Sequence, residues 1–170
     1  MLLRPFAATF ALSMVVITAF ASSATADESL PFRGSLEGRH VSRTPLIAPL
    51  VFDVFELAGQ ANHLGRFQLV IEAVVDFGTR PPTGEETLTF TAANGDVLIA
   101  DAMGSSALVV PGLVLITEHA TVDPERSTGR FAGATGSFTI ERLADAATGV
   151  TGVTVGSFEG IISLATPPNR

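Results

Sequence analysis

Thirteen consecutive residues, Gly65 to Phe77 (GRFQLVIEAVVDF), alternate in character with a period of two. One parity carries Phe67, Leu69, Ile71, Ala73, Val75 and Phe77; the other carries Arg66, Gln68, Glu72 and Asp76, interrupted by Val70 and Val74. Side chains of an extended chain point to opposite faces in turn, so the segment is a long strand with one apolar side. An amphipathic helix would need apolar residues at a spacing of 3.6, which this run does not give.

The same signal returns along the chain. Thr87 to Ala92 sets Leu88, Phe90 and Ala92 against three threonines, and Val97 to Met103 resumes after Asn94-Gly95. Two extended runs joined by Asn-Gly predict a hairpin closed by a type I′ turn, with positive φ at both central residues. Phe32 to His40, Leu50 to Ala58, Leu113 to Val122, Ser137 to Leu143 and Val153 to Leu164 are further β-rich runs. Asp123-Pro124, Ala147-Thr148-Gly149 and Thr79 to Gly84 punctuate them, while Val41 to Ala48 and Thr166 to Arg170 read as linker-like.

About eight strands joined by short turns, with no helical segment between them, leave a sandwich or a closed barrel. Long strands with one polar and one apolar face favour closure, because a barrel has no exposed edges. Gly34, Gly38, Gly156 and Gly160 fit the sharp bends of a small barrel. The expected fold is therefore a single all-β domain, an antiparallel eight-stranded closed barrel. An outer-membrane barrel is the competing form, but such barrels carry aromatic girdles, and this chain has neither Trp nor Tyr.

Residues 1–26 read as an address. One charge at Arg4 precedes an uncharged stretch, Phe6 to Phe20, and the small residues Ala21 to Ala26 end in Ala-Thr-Ala. That order is a secretory signal peptide with cleavage expected after Ala26; the alternative, a membrane anchor, needs ~20 apolar residues. The domain then covers 27–170, exported to the periplasm or the medium. No Cys is present, which excludes disulfides, thiolate metal centres and thiol nucleophiles. A net charge of −7, with every basic residue an Arg, argues against a nucleic-acid partner.

One motif points to a family. Thr128 to Ile140 reads TGRFAGATGSFTI, and its Gly-X-Phe-X-Gly-Ala-X-Gly run resembles the glycine-rich hairpin of the allene oxide cyclase and dirigent-like β-barrel superfamily. Gly129, Gly133 and Gly136 can take dihedrals closed to other residues, and Phe131 and Phe138 can anchor the reversal in the core. The resemblance implies an eight-stranded barrel with an apolar cavity whose enzymes steer cyclisation or coupling without metal or organic cofactor. The cysteine that some of these cyclases place in the cavity has no counterpart here.

Candidate chemistry follows from strand phase. In Leu113 to Val122 the even positions are Val114, Ile116, Glu118, Ala120 and Val122. If these face inward, Glu118 is a desolvated general acid or base; otherwise it lies at the rim or outside. His63 shares the parity of Phe67 and Leu69 and is a candidate base or ligand-orienting group, or a turn cap. Arg142 shares the parity of Phe138 and Ile140; inside, it needs a carboxylate partner, with Glu118 the natural one, and at the rim its stem would cover apolar surface.

The expected ligand-binding set is thus Phe67, Leu69, Ile71, Phe90, Phe138 and Arg142, with Glu118 and His63 as catalytic candidates. No metal or cofactor is expected: His40, His63 and His119 show no His-X-His pair. Gly156 to Gly160 lacks the spacing of a nucleophile elbow. Two main functions fit, a barrel holding a small apolar molecule and a cofactor-independent isomerase or cyclase. A module binding another exported protein is a third, and oligomeric state is open.

Overall fold

In a computed structural model, which describes residues 28–147 and 152–165, eight strands form one closed barrel. They are β1 (Ser29–Pro45), β2 (Leu50–Ala61), β3 (Gly65–Asp76), β4 (Thr83–Ala92), β5 (Val97–Val110), β6 (Leu113–Val122), β7 (Thr135–Asp145) and β8 (Val153–Ser163). Each pairs antiparallel with its sequence neighbour, and β1 pairs with β8 to close the ring. The expected signal peptide and its cleavage site, the Thr148-Gly149 part of one turn and the tail from Thr166 lie outside the described residues.

The alternation of Gly65 to Phe77 is realised in β3. Phe67, Leu69, Ile71 and Ala73 are buried, while Arg66, Gln68, Val70 and Glu72 are exposed. Elsewhere the lumen alternates large and small residues, as a narrow barrel requires. In β8, Thr154, Phe158 and Ile162 face inward with Gly156 and Gly160 between them. A Cβ on Gly156 would stand 2.6 Å from Cβ of Arg142, so that glycine leaves the space Arg142 occupies.

One end of the lumen is plugged. Phe32, Phe67, Phe90, Phe138 and Phe158 form a cluster with ring centroids 4.9–6.4 Å apart, mostly edge to face. Each such pair adds about 0.5–1.5 kcal/mol beyond area burial. Leu64, Phe131 and Ala134 from the turns cap it. In the glycine-rich segment, Gly129, Gly133 and Gly136 have φ of 62°, 74° and 141°, while Phe131 and Phe138 are buried. The segment is a 3-10 turn over Gly129–Phe131 feeding β7, rather than a two-stranded hairpin.

Two local expectations are corrected. Between β4 and β5 only Gly95 has positive φ, so the turn is not type I′; Ala92 accepts from Gly95 N–H and donates to the carbonyl of Asp96. Val41 to Pro45 is strand rather than linker. A bulge between His40 and Ser42 breaks the alternation there, which hides the strand in the sequence.

Candidate functional site

The end opposite the phenylalanine plug is open, and a cavity of about 200 Å³ enters the barrel there. Its walls are largely apolar, including Phe55, Ala73, Val75, Phe77, Val114 and Ile116. Its charged and titratable side chains are His40, Arg43, Asp53, Glu86, Arg142 and Asp145, joined by the hydroxyls of Thr83, Ser105 and Ser106, with Glu118 directly behind.

Arg142 and Glu118 meet inside. Phe138, Ile140 and Arg142 share the inward parity of β7, and Glu118 faces them from β6. Arg142 is 1 % exposed and Glu118 0 %. Arg142 donates from Nε and Nη2 to Oε1 of Glu118 at 2.9 and 2.7 Å, and its guanidinium carbon lies 4.3 Å from the Phe55 ring centroid. The rim alternative for Arg142 is thereby overturned, because a charge this deep is stable only when paired.

Glu86 completes the inner group. It leaves β4 beside Ala73 of β3 and is buried. Diagonally from it, two residues past its register partner Ala102, β5 presents Gly104, where a Cβ would overlap Oε1 of Glu86, so the missing side chain is the room for the carboxyl. Burial, reinforced by the charge of Glu118 and a hydrogen bond to it and opposed by Arg142, pushes the Glu86 carboxyl up to about 9. Glu86 is therefore a neutral acid at neutral pH, sharing its proton with an arginine-bound carboxylate. Oε2 of each glutamate is buried without a hydrogen-bond partner among the described residues.

A second group sits toward the mouth. His40 stacks on Phe55 with ring centroids 4.6 Å apart. Its Nε2 faces Oδ1 of Asp53 at 3.2 Å and the Ser42 carbonyl at 2.8 Å, two acceptors that assign the proton to Nε2. Arg43 grips both oxygens of Asp53 at 2.8 and 2.6 Å. The bulge places it there: past the bulge the parity of β1 reverses, so Arg43 pairs with Asp53 and turns inward, whereas Arg39 points out.

The remaining candidates are elsewhere. His63 occupies the β2–β3 turn at the plugged end, with φ of 62°, and does not join Glu118. Phe67, Leu69, Ile71, Phe90 and Phe138 face inward as expected but fill the lumen; of the six residues assigned to ligand, only Arg142 lines the cavity. The reason is volume: the rings pack one another and leave no gap at their level. Histidines do not converge, since His40 is inside, His63 is in a turn and His119 is outside on Thr139. A larger concavity of about 950 Å³ lies on the outer surface among Glu37, Arg39, Glu56, Gln68 and Val155, and the two buried glutamates take no part in it.

Asp53, Phe55 and Glu86 escaped the sequence reading, as did the inward place of His40, although a signal existed for each. His40 continues the parity of Phe32 and Leu36, Asp53 that of Phe55 and Leu57, and Glu86 that of Leu88 and Phe90. Starting the fourth strand at Thr87 cut Glu86 off. No family model, curated protein or solved structure matches this chain.

Proposed function

We propose that this chain is an exported barrel that binds a small molecule, with the ligand's apolar body against Phe55, Val75 and Ile116 and its polar group against Glu86 and Arg142. The observation that carries this reading is a cavity of about 200 Å³ whose inner end is built from buried polar side chains rather than sealed by apolar ones. Pockets for drug-sized ligands run from about 300 Å³ upward, so the occupant is small. Charges along the outer face, among them Glu56, Arg66, Glu72, Glu85, Glu141 and Glu159, support an aqueous rather than a lipid surrounding. The test is native mass spectrometry of protein purified under gentle conditions from its own source. A bound species below drug size, absent after Ala144→Phe blocks the mouth, is expected; protein that is ligand-free in every preparation overturns the reading.

A second reading, a cofactor-independent isomerase or cyclase akin to the allene oxide cyclase and dirigent-like proteins, is favoured by one observation. Burial and the neighbouring Glu118 push the Glu86 carboxyl up, while Arg142 binds Glu118, an arrangement suited to separating an acid from a base. Glu86 is the one lining the cavity, so it would exchange the proton with substrate while Glu118, fixed by Arg142, tunes it. Under this reading Glu86→Gln abolishes turnover while binding persists; unchanged turnover removes Glu86 from the chemistry.

A further inference from the structure

The cavity holds more carboxyl groups than guanidiniums to meet them. Glu86, Glu118 and Asp53 are 8 %, 0 % and 2 % exposed. Arg142 is committed to Glu118 and Arg43 to Asp53, each through two nitrogens. Among the described residues no cation donates to Glu86, whose Oε2 is buried without a hydrogen-bond partner. An anionic ligand would have to break one of the two ion pairs beside a third carboxyl. A neutral ligand would leave Glu86 protonated. A cation would supply the positive charge that lets Glu86 ionise.

The walls suit a cation as well. Phe55 already carries the Arg142 guanidinium 4.3 Å from its ring centre, and Phe77 carries that of Arg43 at 5.2 Å. Both faces thus attract positive charge through the ring quadrupole. The protein's net charge of −7 draws cations toward the barrel from a distance.

We propose that the cavity takes a small organic cation, a primary or secondary amine on a compact apolar body, whose N–H groups donate to the Glu86 carboxylate; this rests on the binding reading above. The groups facing Glu86 are Glu118 from β6 and Arg142 from β7, with Gly104 of β5 and Ala73 of β3 uncharged beside it. His40 and Arg43 from β1, Asp53 from β2 and Asp145 from β7 also line the cavity. In the free protein Glu86 keeps its proton because of burial and the Glu118 charge. An arriving ammonium offsets both, so the Glu86 proton leaves to solvent and the amine stays protonated. Charge and protons balance with one proton released for each amine bound.

Calorimetric titration with benzylamine, benzyl alcohol and benzoate, three probes of one shape and different charge, tests this. At about pH 7.5, in two buffers of different ionisation heat, benzylamine is expected to bind best and to release about one proton. Glu86→Gln, which preserves shape, should abolish the release and weaken benzylamine binding by roughly tenfold to a hundredfold, the size of one charge-assisted hydrogen bond. Proton release is read on the unaltered protein and does not depend on the variant folding. If benzyl alcohol or benzoate binds as tightly as benzylamine, or benzylamine binds without proton release, the amine proposal falls while the binding barrel stands. If none of the three binds, the amine proposal falls, and the binding barrel stands or falls on the co-purification test above.

Discussion

Arg142 sets Nε and Nη2 on a single oxygen of Glu118, Oε1, while Oε2 of Glu118 and Oε2 of Glu86 stay buried without a hydrogen-bond partner among the described residues. One guanidinium therefore engages only one acid of a buried pair. The arrangement makes the two glutamates unequal although both are buried.

Removing Arg142 strands the Glu118 carboxylate in the lumen. Arg142→Ala should cost about 3–5 kcal/mol in urea denaturation, the usual penalty for breaking a buried pair from one side. Adding Glu118→Gln should recover part of that loss by removing the charge left behind. A single-mutant cost below about 1 kcal/mol would mean that water already reaches the pair.

Glu86 gives the fold a pH dependence of definite sign. Unfolded, the carboxyl releases its proton above its ordinary 4.5; folded, it keeps it until about 9. Between those values the unfolded chain binds fewer protons, so this group lowers stability as pH rises, by at most about 1.4 kcal/mol per pH unit. The loss begins above 4.5 and levels off near 9. Urea midpoints measured from pH 5 to 9 should fall more steeply for the native protein than for Glu86→Gln, which should also be the more stable at pH 8. Equal slopes would place the Glu86 proton elsewhere.

Gly104 and Glu86 should be energetically coupled. Gly104→Ala drives a Cβ into Oε1 of Glu86 and is expected to lower stability by about 1–3 kcal/mol, the cost of overpacking. In a Glu86→Ala background the same change should cost well under half as much. A thermal-melt double-mutant cycle with no coupling would show that the carboxyl is not seated in that gap.

His63 sits in a backbone conformation that favours glycine, at the plugged end. His63→Gly should stabilise the protein by about 0.5–1 kcal/mol in chemical denaturation, and leave benzylamine affinity unchanged. A weaker amine affinity in that variant would tie the turn to the cavity.

Much of the barrel was legible because its strands obey one rule. Where alternation runs unbroken, as in β3, the inward faces of Phe67, Leu69 and Ile71 could be read directly, whereas β6, less sharply two-faced, left Glu118 open between lumen, rim and outer face. The rule fails where the chain adds a residue: the bulge before Ser42 shifts the parity, and with it Arg43 moves to the mouth. Partnership across the lumen is beyond periodicity altogether. That Glu86 meets Glu118, from strands β4 and β6, depends on β5 presenting a glycine between them. The phenylalanines were correctly turned inward but given a ligand they have no room for, since parity tells direction and not free volume.

Every strand but one couple is joined through a neighbouring segment of chain; only β1 and β8, which bring Ser29 beside Ser163, must find each other across the whole sequence. As an open ribbon, β4 to β7 can already assemble Glu86, Glu118 and Arg142. The guanidinium reaches Phe55, on β2, only when that ribbon curls shut. The stacking of Arg142 on Phe55 is thus a clasp that fastens on ring closure, and kinetic probes placed on it would register the last event of folding rather than the first.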